Sequence, residues 1–366
     1  MTNDRNYQVA LTMINGIGAV QAKNLIDHFE SAAAVFKASK KELSSISGIG
    51  EIKAKEIKAF DLWNDAEKEI TFCEKHHIDI LFLNDENYPK RLLNCYDAPT
   101  VLYYRGNANL NQPKIISIIG TRNNTDYGKQ VTENIIEQLA TQQVLIVSGL
   151  AFGIDSIAHK AALQQHLPTV GVLAHGLDTI YPSQHKAMAK DMLLNGGLLT
   201  EFKQNTKPDK HNFPRRNRIV SGISDATIVI ETAAKGGSMI TAELTYNYNR
   251  DLFAVPGKIT DNKSNGCLKL IQQQKAVVFT SVEDFLQEMS WQENKNNSTK
   301  KQRELFIELS DDEKIIVDIL KEKELLNIDE IYLQSGLSSS SVAAAILSLE
   351  LQNTVASLPG KIYKLI

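Results

Sequence analysis

Ile115–Gly128 reads I-I-S-I-I-G-T-R-N-N-T-D-Y-G, and this stretch decides the fold of the 366-residue chain. Its four isoleucines in five positions are typical of a strand that is buried on both faces. A turn at Gly120 comes next. The helical pattern that follows places apolar residues on one face: Val131, Ile135, Ile136 and Leu139. This order predicts a Rossmann-like unit, which binds ligands beyond the carboxyl ends of its strands. The turn carries Arg122, a fixed cation, where a dinucleotide-binding turn would have further glycines.

Six further strand patterns alternate with helical patterns across the middle of the chain. They are Val144–Val147, Thr169–Leu173, Leu198–Glu201, Ala226–Glu231, Leu252–Val255 and Ala276–Phe279. Alternation of this kind predicts an α/β fold with an extended Rossmann-like, mainly parallel sheet. Glycines lie in the loops after four of these strands: Gly120, Gly149, Gly176 and Gly237. Because the carboxyl ends of parallel strands share one edge, we expect these loops to form a rim whose backbone amides attract phosphates.

The segment Glu201–Arg218 concentrates positive charge in a chain whose net charge is −3. It reads E-F-K-Q-N-T-K-P-D-K-H-N-F-P-R-R-N-R and holds six Lys or Arg against two acids. Cations beside an exposed aromatic such as Phe213 are typical of single-stranded nucleic-acid binding, in which charges follow the phosphates and a ring stacks on a base. A solvated loop anchored by a buried Phe213 explains the same pattern equally well.

Composition limits the classes of protein to consider. The chain has 40 Lys and Arg against 43 Asp and Glu, so nucleic-acid binding requires a local basic patch. Three scattered cysteines, Cys73, Cys95 and Cys267, form no C-x-x-C pair and predict neither a disulfide framework nor a zinc site. The sequence has no N-terminal signal core and no run of membrane-spanning length, so we expect a cytoplasmic protein without membrane contact.

The N-terminal segment contains an internal repeat. Ile14–Lys23 aligns with Ile46–Lys55, and each copy has a G-I-G turn before a helical pattern. The repeat resembles the helix-hairpin-helix motif, in which a tight glycine turn presents backbone N–H groups to a phosphate. Residues 1–65 are therefore predicted to form a helical (helix-hairpin-helix or SAM-like) domain. Met1–Leu62 holds eight Lys and Arg against seven Asp and Glu, so the domain either touches a DNA backbone or serves for packing and partner binding.

The remaining domain boundaries follow from changes in composition. Residues 66–290 are predicted to form the Rossmann-like domain with a connecting layer at its start, which is the DNA-binding domain if the basic segment binds nucleic acid, and the polar stretch 291–310 is predicted to be a linker. Residues 311–366 show three helical patterns and a hairpin pattern, which resemble a winged helix. This domain holds nine acids against five Lys, and its groove-reading candidate, Ser338–Gln352, has no Lys or Arg. The charge favours protein interaction or regulation over contact with duplex DNA.

Two patterns raise the question of catalysis. Asp155 and His159 lie four apart on one helix face, where we interpret Asp155 as a helix N-cap and His159 as a packed, hydrogen-bonded side chain. The sequence has no H-E-x-x-H or G-x-S-x-G pattern. Gly236–Glu243 resembles the Gly-Gly-x-Gly-Thr-x-x-Glu signature of nucleotide phosphoribohydrolases, but the match is incomplete. The alternative function is therefore a nucleotide-processing enzyme that uses the same rim.

Several long blocks in the right order resemble the DNA processing protein A (DprA, or Smf) family. They are Ile118–Gly128, Ser148–His159, Val172–Pro182, Phe213–Asp225, Gly236–Glu243 and Phe253–Gly257. The resemblance covers Tyr103–Phe279 and, more loosely, both flanks. It implies a protein that binds single-stranded DNA, forms a homodimer, and loads the RecA recombinase onto incoming single strands in natural transformation. It implies no catalytic activity, no cofactor and no metal.

The family's motifs also imply roles for residues at the rim. Its G-S-R turn corresponds to Gly120, Thr121 and Arg122, which implies that Arg122 contacts DNA. Lys210 and Phe213 correspond to a phosphate-binding and a base-binding residue. The DNA-binding residues implied in this way, together with the adjacent cations and the glycine turn of the rim, are Gly120, Thr121, Arg122, Lys210, Phe213, Arg215, Arg216, Arg218, Gly237 and Ser238.

Some residues in these blocks have an alternative role or depart from the family pattern. For Asn217 and Arg218 there is an alternative role, in which they hold the basic loop in place and do not face DNA. Thr121 replaces a serine and keeps its hydroxyl group. His175 stands where the family has a serine, and it therefore narrows a loop near the rim.

Overall fold

The computed structural model describes the following parts of the chain: residues 2–292, 309–323, 325–352, 354–358 and 362–365. The chain forms two compact units, Met1–Gln292 and Glu293–Ile366. The first unit contains both the predicted helical domain and the Rossmann-like domain. Most of the predicted linker, 293–308, and the predicted hairpin turn at Pro359-Gly360 lie outside the described residues. Within the described ranges, no helix is both long and apolar enough to span a bilayer.

Six short helices make up the N-terminal part of the first unit. They are α1 (Thr2–Thr12), α2 (Ala19–Phe29), α3 (Ala32–Lys37), α4 (Lys40–Ser44), α5 (Gly50–Lys58) and α6 (Trp63–Lys75). Gly16 and Gly48 have φ angles of 78° and 81°, a left-handed conformation that suits glycine because it has no Cβ. The two G-I-G turns lead into α2 and α5, which confirms the predicted helical domain. In the first turn the side-chain oxygen of Gln21 accepts a hydrogen bond from the N–H of Gly18 at 3.1 Å. This amide is therefore already bonded within the protein and is not free for a phosphate.

A nine-stranded sheet forms the centre of the first unit. Its strands are β1 (Asp79–Phe82), β2 (Val101–Gly106), β3 (Ile115–Ile119), β4 (Leu145–Ser148), β5 (Thr169–Val172), β6 (Gly196–Thr200), β7 (Ala226–Val229), β8 (Asp251–Ala254) and β9 (Val277–Val278). They lie in the order β1-β2-β6-β5-β4-β3-β7-β8-β9. Neighbours from β6 to β9 are parallel, whereas β2 and β1 join one edge in antiparallel pairs. The predicted mainly parallel sheet is confirmed.

The connecting layer forms part of the sheet. Asp79–Phe82 pairs with β2 in antiparallel register, and β2 pairs with β6, so this layer extends the sheet by two strands. The sequence D-I-L-F is too short to show a period of two, which is why it does not predict a strand.

Eight helices cover the sheet. They are α7 (Lys90–Leu93), α8 (Asp126–Leu139), α9 (Ile154–Gln164), α10 (Lys186–Met192), α11 (Asn212–Ile223), α12 (Gly237–Asn247), α13 (Asn265–Gln272) and α14 (Val282–Glu288). On one face α7, α11, α12 and α13 pack against Ile115 and Ile119 of β3. On the other face α8, α9 and α14 pack against Ile116 and Ile118. Because side chains alternate along a strand, burial on both faces requires the continuous apolar run of β3.

Ser117, at the centre of β3, is a fully buried polar side chain. Its hydroxyl donates to the carbonyl of Val220 at 2.7 Å and lies 2.6 Å from the hydroxyl of Ser224. These partners lie on α11 and at its end. A buried hydroxyl costs free energy unless it is hydrogen-bonded, so Ser117 favours one position of α11 over the sheet.

An ion pair joins the connecting layer to the start of β3. Arg91 Nε and Nη2 donate to the two carboxylate oxygens of Asp225 at 2.6 and 2.8 Å. Asp225 also accepts the N–H of Ile115 at 2.9 Å. Bidentate arginine–carboxylate pairs are among the stronger hydrogen-bonded contacts in proteins, and both side chains here are largely buried.

The described residues of the second unit form a small domain of three helices and an antiparallel sheet. Its elements are α15 (Asp311–Glu322), β10 (Leu326–Asn327), α16 (Ile328–Ser335), α17 (Ser339–Leu351), β11 (Val355–Leu358) and β12 (Ile362–Leu365). The strand order is β10-β12-β11. Ser310, Asn327 and Ser338 cap the three helices by accepting N–H groups of the first turns. The predicted winged helix is confirmed, with β10 as a strand added to the hairpin.

Replacing Asp225 with alanine should lower the free energy of unfolding by about 3 kcal/mol, because Arg91 loses its partner in a largely buried pair. Asp65→Ala removes an exposed pair with Lys68 at 3.2 Å and should change the free energy of unfolding by less than about 0.5 kcal/mol. Urea unfolding followed by circular dichroism measures both values. Equal stability of the two variants would contradict the structural role of the Arg91–Asp225 pair.

Candidate nucleic-acid interface

The order of the strands reverses between β3 and β7, and a cavity opens there. From β3 the sheet continues through β4, β5 and β6 on one side, whereas β7, β8 and β9 lie on the other. Ligands of doubly wound sheets bind at such a point because the loops on either side diverge and leave a crevice. The cavity has a volume of about 440 Å³. Its lining includes Gly120, Thr121, Arg122, Gly149, Ala151, Asp155, Phe213, Arg216, Asn217, Lys235, Gly236, Gly237 and Ser238.

The structure brings together most of the residues that the family resemblance implies. Seven of the ten line this cavity: Gly120, Thr121, Arg122, Phe213, Arg216, Gly237 and Ser238. Lys210, Arg215 and Arg218 do not belong to its lining. Residues distant in sequence therefore meet at one rim, although three of the cations lie outside the cavity.

The turn after β3 is held in place by Glu231, which lies just beyond β7. The buried carboxylate of Glu231 accepts the N–H of Thr125 at 2.9 Å and also its hydroxyl. The main-chain carbonyl of Glu231 accepts the N–H of Thr121 at 2.7 Å. Glu231 thus ties together the two loops that diverge at the switch point. The backbone of Arg122 therefore has a fixed position.

Gly153 lets the loop after β4 pass close to the same turn. Its φ is 77°, and a Cβ at this position would lie 2.3 Å from the carbonyl oxygen of Thr121 and 2.6 Å from that of Arg122. The N–H of Ile154 donates to the carbonyl of Thr121 at 3.2 Å. Both the conformation and the close approach require glycine here.

Arg122 and Phe213 form a pair at the mouth of the cavity. Arg122 is exposed, and its guanidinium carbon lies 5.1 Å from the centre of the half-buried Phe213 ring, which is a cation–π distance. Lys210 is exposed just before α11. Lys235 is an exposed cation in the cavity wall that the family motifs do not imply. Its place in the glycine loop after β7 is the sequence signal that points to it.

Arg216 lies beneath the rim and not on it. The residue is only 5% exposed. Its Nη1 donates to the carbonyls of Gly149 and Val172, and its Nε donates to Oδ1 of Asn217 at 3.1 Å. Burial lowers the pKa of the guanidinium to about 10, while the Asp155 carboxylate opposes this shift. Arg216 therefore stays charged at neutral pH and supplies a fixed positive charge below the cavity.

Asp155 organises the loop between β4 and α9. Its carboxylate accepts the N–H of Gly149 at 3.1 Å and that of Ala151 at 3.4 Å. The helix begins at Ile154 with Gly153 at the cap position, so the predicted N-cap role of Asp155 is wrong. Its side chain reaches back from the first helical turn to the preceding loop. Burial raises the pKa of this carboxyl group.

His159 is packed below the rim, as predicted. Its ring is fully buried, and Nδ1 lies 2.7 Å from the hydroxyl of Thr169, which donates to the carbonyl of Ile146 at 3.1 Å. These bonds join α9 to β5 and β4. Burial lowers the pKa of His159 to about 3. The imidazole of His159 is therefore neutral in the folded protein at neutral pH.

The basic segment Glu201–Arg218 is a loop only as far as His211. From Asn212 onward it belongs to α11, so the expectation of a loop up to Arg218 is wrong. Pro214 lies in the first turn of α11, where a backbone N–H would have no intrahelical partner. Because successive residues of a helix point about 100° apart, the neighbouring arginines face different surroundings.

Glu201 pairs with two of these arginines. Arg218 is buried, lies 2.6 Å from the Glu201 carboxylate and donates to the carbonyl of Asp97. Arg215 lies 3.3 Å from the same carboxylate, but its side chain is 58% exposed, and its guanidinium lies 5.0 Å from the ring centre of Phe202. The structure thus places Arg218 inside, where it holds the segment, and leaves Arg215 at the surface.

The loop with His175 lies beside the cavity and not in its wall. His175 is buried, with Nδ1 2.9 Å from the carbonyl of Gly176 and Nε2 accepting the N–H of Tyr181 at 3.3 Å. Gly176 donates to the carbonyl of Thr206 at 3.1 Å and is absent from the cavity lining. Of the four glycine loops that were expected to converge, those of Gly120, Gly149 and Gly237 line the cavity, and that of Gly176 does not.

The acid of the phosphoribohydrolase-like signature points away from the cavity. Glu243 pairs with Lys275 at 2.7 Å and does not line the cavity. Ser238 lies in the first turn of α12, where its hydroxyl is 2.8 Å from that of Thr232. This stretch therefore contributes a helix N-terminus to the cavity and not its glutamate. Among the described residues, no three His, Cys, Asp or Glu side chains are grouped closely enough to hold a metal ion.

Three family models match the chain, one for each predicted domain. The model of DNA recombination-mediator protein A matches residues 79–290. The model of the SAM-like helix-hairpin-helix tandem matches residues 9–60, and that of the DprA winged helix domain matches residues 303–361.

Individual relatives cover most of the chain. Protein Smf of Synechocystis is 34% identical over 285 residues, which is 76% of this chain and 71% of that protein. The X-ray structure of DNA processing protein A from Streptococcus pneumoniae is 32% identical, with a TM-score of 0.68 over 77% of this chain and 97% of that one. A structure of DNA processing protein A from Helicobacter pylori, described for its single-stranded DNA binding mode, is 33% identical, with a TM-score of 0.53 over 58% of this chain and 95% of that one.

Acid should destabilise the first unit through His159. Its folded-state pKa of about 3 lies below the ordinary value of 6.5, so as the pH falls the unfolded chain takes up a proton that the folded chain does not. The stability that depends on neutral His159 is present above the unfolded pKa and is lost as the pH falls toward the folded pKa. The expected loss between pH 7 and pH 5 is about 2 kcal/mol.

Urea unfolding at pH 7 and pH 5 measures this loss. His159→Asn should reduce the difference in the free energy of unfolding between the two pH values. His28→Asn, at an exposed position, should keep the wild-type difference. A wild-type difference in His159→Asn would show that another group causes the acid sensitivity.

Proposed function

This chain belongs to the DNA recombination-mediator protein A (DprA/Smf) family, and we propose that it acts as a single-stranded DNA-binding mediator of recombination. The observation that carries the proposal is the pair of Arg122 and Phe213 at the mouth of the cavity. Binding of a single strand needs cations for the phosphates and an aromatic ring for a base, and this pair supplies both. The single-stranded DNA binding mode described for the H. pylori relative supports the same reading.

The charge around the cavity favours a polyanion. Arg122, Lys210 and Lys235 are exposed cations, and Arg216 adds a buried positive charge. The carboxylate of Asp155 in the cavity wall is buried and bonded to backbone amides. Because the whole chain carries a net charge of −3, attraction of phosphates depends on a local group of cations such as this one.

The start of α12 adds a second anion-binding element. Gly236 and Gly237 are exposed, and among the described residues no atom outside the adjoining stretch of chain lies within 4 Å of where a Cβ would stand at either position. The N-terminus of this 11-residue helix carries a partial positive charge and free backbone N–H groups. The residues proposed to contact DNA are Gly120, Thr121, Arg122, Lys210, Phe213, Arg215, Lys235, Gly237 and Ser238. On this proposal Arg216 acts through its charge from below, and Arg218 does not face the strand.

The double variant Arg122→Ala with Lys210→Ala should lose detectable binding to short single strands, because two phosphate contacts are removed. For the wild-type chain we expect a preference for single strands over duplex and a steep dependence on salt. Each single variant, Arg122→Ala or Lys210→Ala, should still bind, with the slope of log affinity against log salt concentration reduced by about 0.7. Fluorescence anisotropy titrations of labelled single-stranded and duplex oligonucleotides at several salt concentrations measure affinity and slope.

A matched control removes two lysines elsewhere. Lys160 and Lys269 are exposed and do not line the cavity, so Lys160→Ala with Lys269→Ala should keep wild-type affinity and salt slope. Unchanged binding in the Arg122 and Lys210 double variant would refute the proposed site.

We further propose that the chain forms a homodimer and loads RecA onto incoming single strands during natural transformation, in the cytoplasm. Membership of the family supports this finer role. The cysteines Cys73, Cys95 and Cys267 are buried free thiols, which suit a reducing compartment. For the winged helix we propose contact with protein and not DNA, because α17 exposes Leu347 and Leu351 and contains no Lys or Arg.

The full chain should accelerate RecA assembly on a single strand that is already covered by single-strand-binding protein. The Arg122 and Lys210 double variant should lose this acceleration, because it no longer holds the strand. The rate of ATP hydrolysis by RecA measures its assembly on the strand. Light scattering of the purified chain measures its molecular mass and tests the homodimer. Equal rates with and without the wild-type chain, or a monomer at micromolar concentration, would refute the respective part of this proposal.

We propose no catalytic step at the cavity. The glutamate of the phosphoribohydrolase-like signature, Glu243, is engaged with Lys275 away from the cavity. The acid in the cavity wall, Asp155, is engaged with backbone amides. Release of a free base or of ribose phosphate from a nucleoside monophosphate would instead favour the enzymatic alternative.

A further inference from the structure

Three aromatic side chains surround a shallow recess next to the cavity. Phe152 and Tyr181 are 43% and 48% exposed, and Phe213 is half-buried. The ring centroids of Tyr181 and Phe213 lie 6.3 Å apart, and all three side chains line the recess. Phe152 follows β4, Tyr181 follows β5 and Phe213 lies in the first turn of α11, so three separate segments bring rings to one edge of the sheet.

The recess is continuous with the cavity. Arg122, Gly149 and Arg216 belong to the walls of both. The recess has a volume of about 20 Å³, which is room for about one water molecule, so a base does not enter it. At its border, the exposed parts of Phe152 and Tyr181 offer ring surface for a base to stack on. A phosphate bound in the cavity would bring the base of its nucleotide next to these rings.

The surrounding protein holds the ring of Phe152 and the backbone of Tyr181. Phe152 packs edge-on against His185, with ring centroids 5.1 Å apart, and Nδ1 of His185 lies 3.0 Å from the carbonyl of Leu150. The N–H of Tyr181 donates to the buried ring of His175 at 3.3 Å. A surface that is already ordered loses little conformational entropy when it binds a ligand.

We propose that Phe152, Tyr181 and Phe213 form a stacking surface for consecutive bases of the single strand whose phosphates bind along the cavity. The inference rests on the proposed function of the cavity. The family resemblance implies base contact for Phe213, and the structure adds Phe152 and Tyr181. Stacking uses the ring face that every base has, so this surface accepts any sequence. Arg122 lies against Phe213, so a phosphate contact and a base contact stand side by side.

A protein partner is the competing occupant of this surface. Exposed aromatic side chains next to an arginine are also common at the centre of protein interfaces. The structure favours bases because the rings share walls with the cavity and its cations. Binding of a protein here is therefore one of the outcomes that the test must separate.

The test compares oligonucleotides with and without bases. The double variant Phe152→Ala with Tyr181→Ala should bind an ordinary single strand about 5- to 150-fold more weakly than the wild-type chain, which corresponds to about 1–3 kcal/mol of stacking. On an oligonucleotide of equal length with abasic sites, both proteins should bind equally. The salt slope should not change, because no phosphate contact is lost.

Three control variants separate stacking from folding. Tyr181→Phe keeps the ring and should bind as the wild-type chain does. Tyr246→Ala removes a ring of similar exposure, 47%, near the far end of α12, and should also leave binding unchanged. If the double alanine variant does not fold, Phe152→Leu with Tyr181→Leu keeps apolar bulk without a ring face and should show the same selective loss.

The outcomes distinguish this inference from the proposed function. Equal affinity of wild-type and ring-deficient chains for the ordinary strand overturns the inference, as does an equal loss on the abasic strand. Loss of a protein partner with unchanged oligonucleotide binding overturns it as well and identifies a protein interface. If the wild-type chain binds no single strand, or binds independently of Arg122 and Lys210, the proposed function itself fails.

Discussion

The rest of the site depends on the hydrogen bonds and the positive charge of the buried Arg216 guanidinium. Parallel strands end at one edge of the sheet, and their last carbonyls there need donors. Arg216 donates to the carbonyls of Gly149 and Val172, while the nearby Asp155 accepts the amides of Gly149 and Ala151. Two opposite buried charges thereby satisfy the donors and acceptors of the loop after β4. Removing either charge would leave the other uncompensated, which is the costly case for buried ions.

This arrangement separates charges that hold the structure from charges that are free for a ligand. Glu201 takes up Arg218 inside the protein, whereas Arg122 and Lys235 remain exposed at the cavity. On the proposed function, the exposed cations at this rim attract phosphates although the chain as a whole has a net negative charge. The proposed stacking of bases on the neighbouring aromatic rings adds to the affinity. Such a combination of phosphate and ring contacts does not select a sequence, and a mediator that handles any strand requires this property.

The two flanking domains have folds that are associated with DNA, but neither has a marked excess of Lys and Arg over Asp and Glu. In the first hairpin the side chain of Gln21 already occupies the amide of Gly18. In the winged helix, α17 contains no Lys or Arg. The sequence predicts both domains because glycine turns, helix caps and apolar spacing are local signals. The strand β1 is not predicted, because its pairing with β2 is a tertiary contact of four residues.

The sequence by itself determined the parallel sheet and the position of Arg122, because a strand buried on both faces needs a continuous apolar run and the turn after it opens at the ligand edge. Only the tertiary structure decided which arginines are exposed to a ligand and which are buried in contacts within the protein. The side-chain directions of Arg216 and Arg218 depend on where α11 begins and on what packs against it. Only the tertiary structure placed Phe152 and Tyr181 together, because β4 and β5 are neighbours in the sheet and the carboxyl ends of parallel neighbours share one edge.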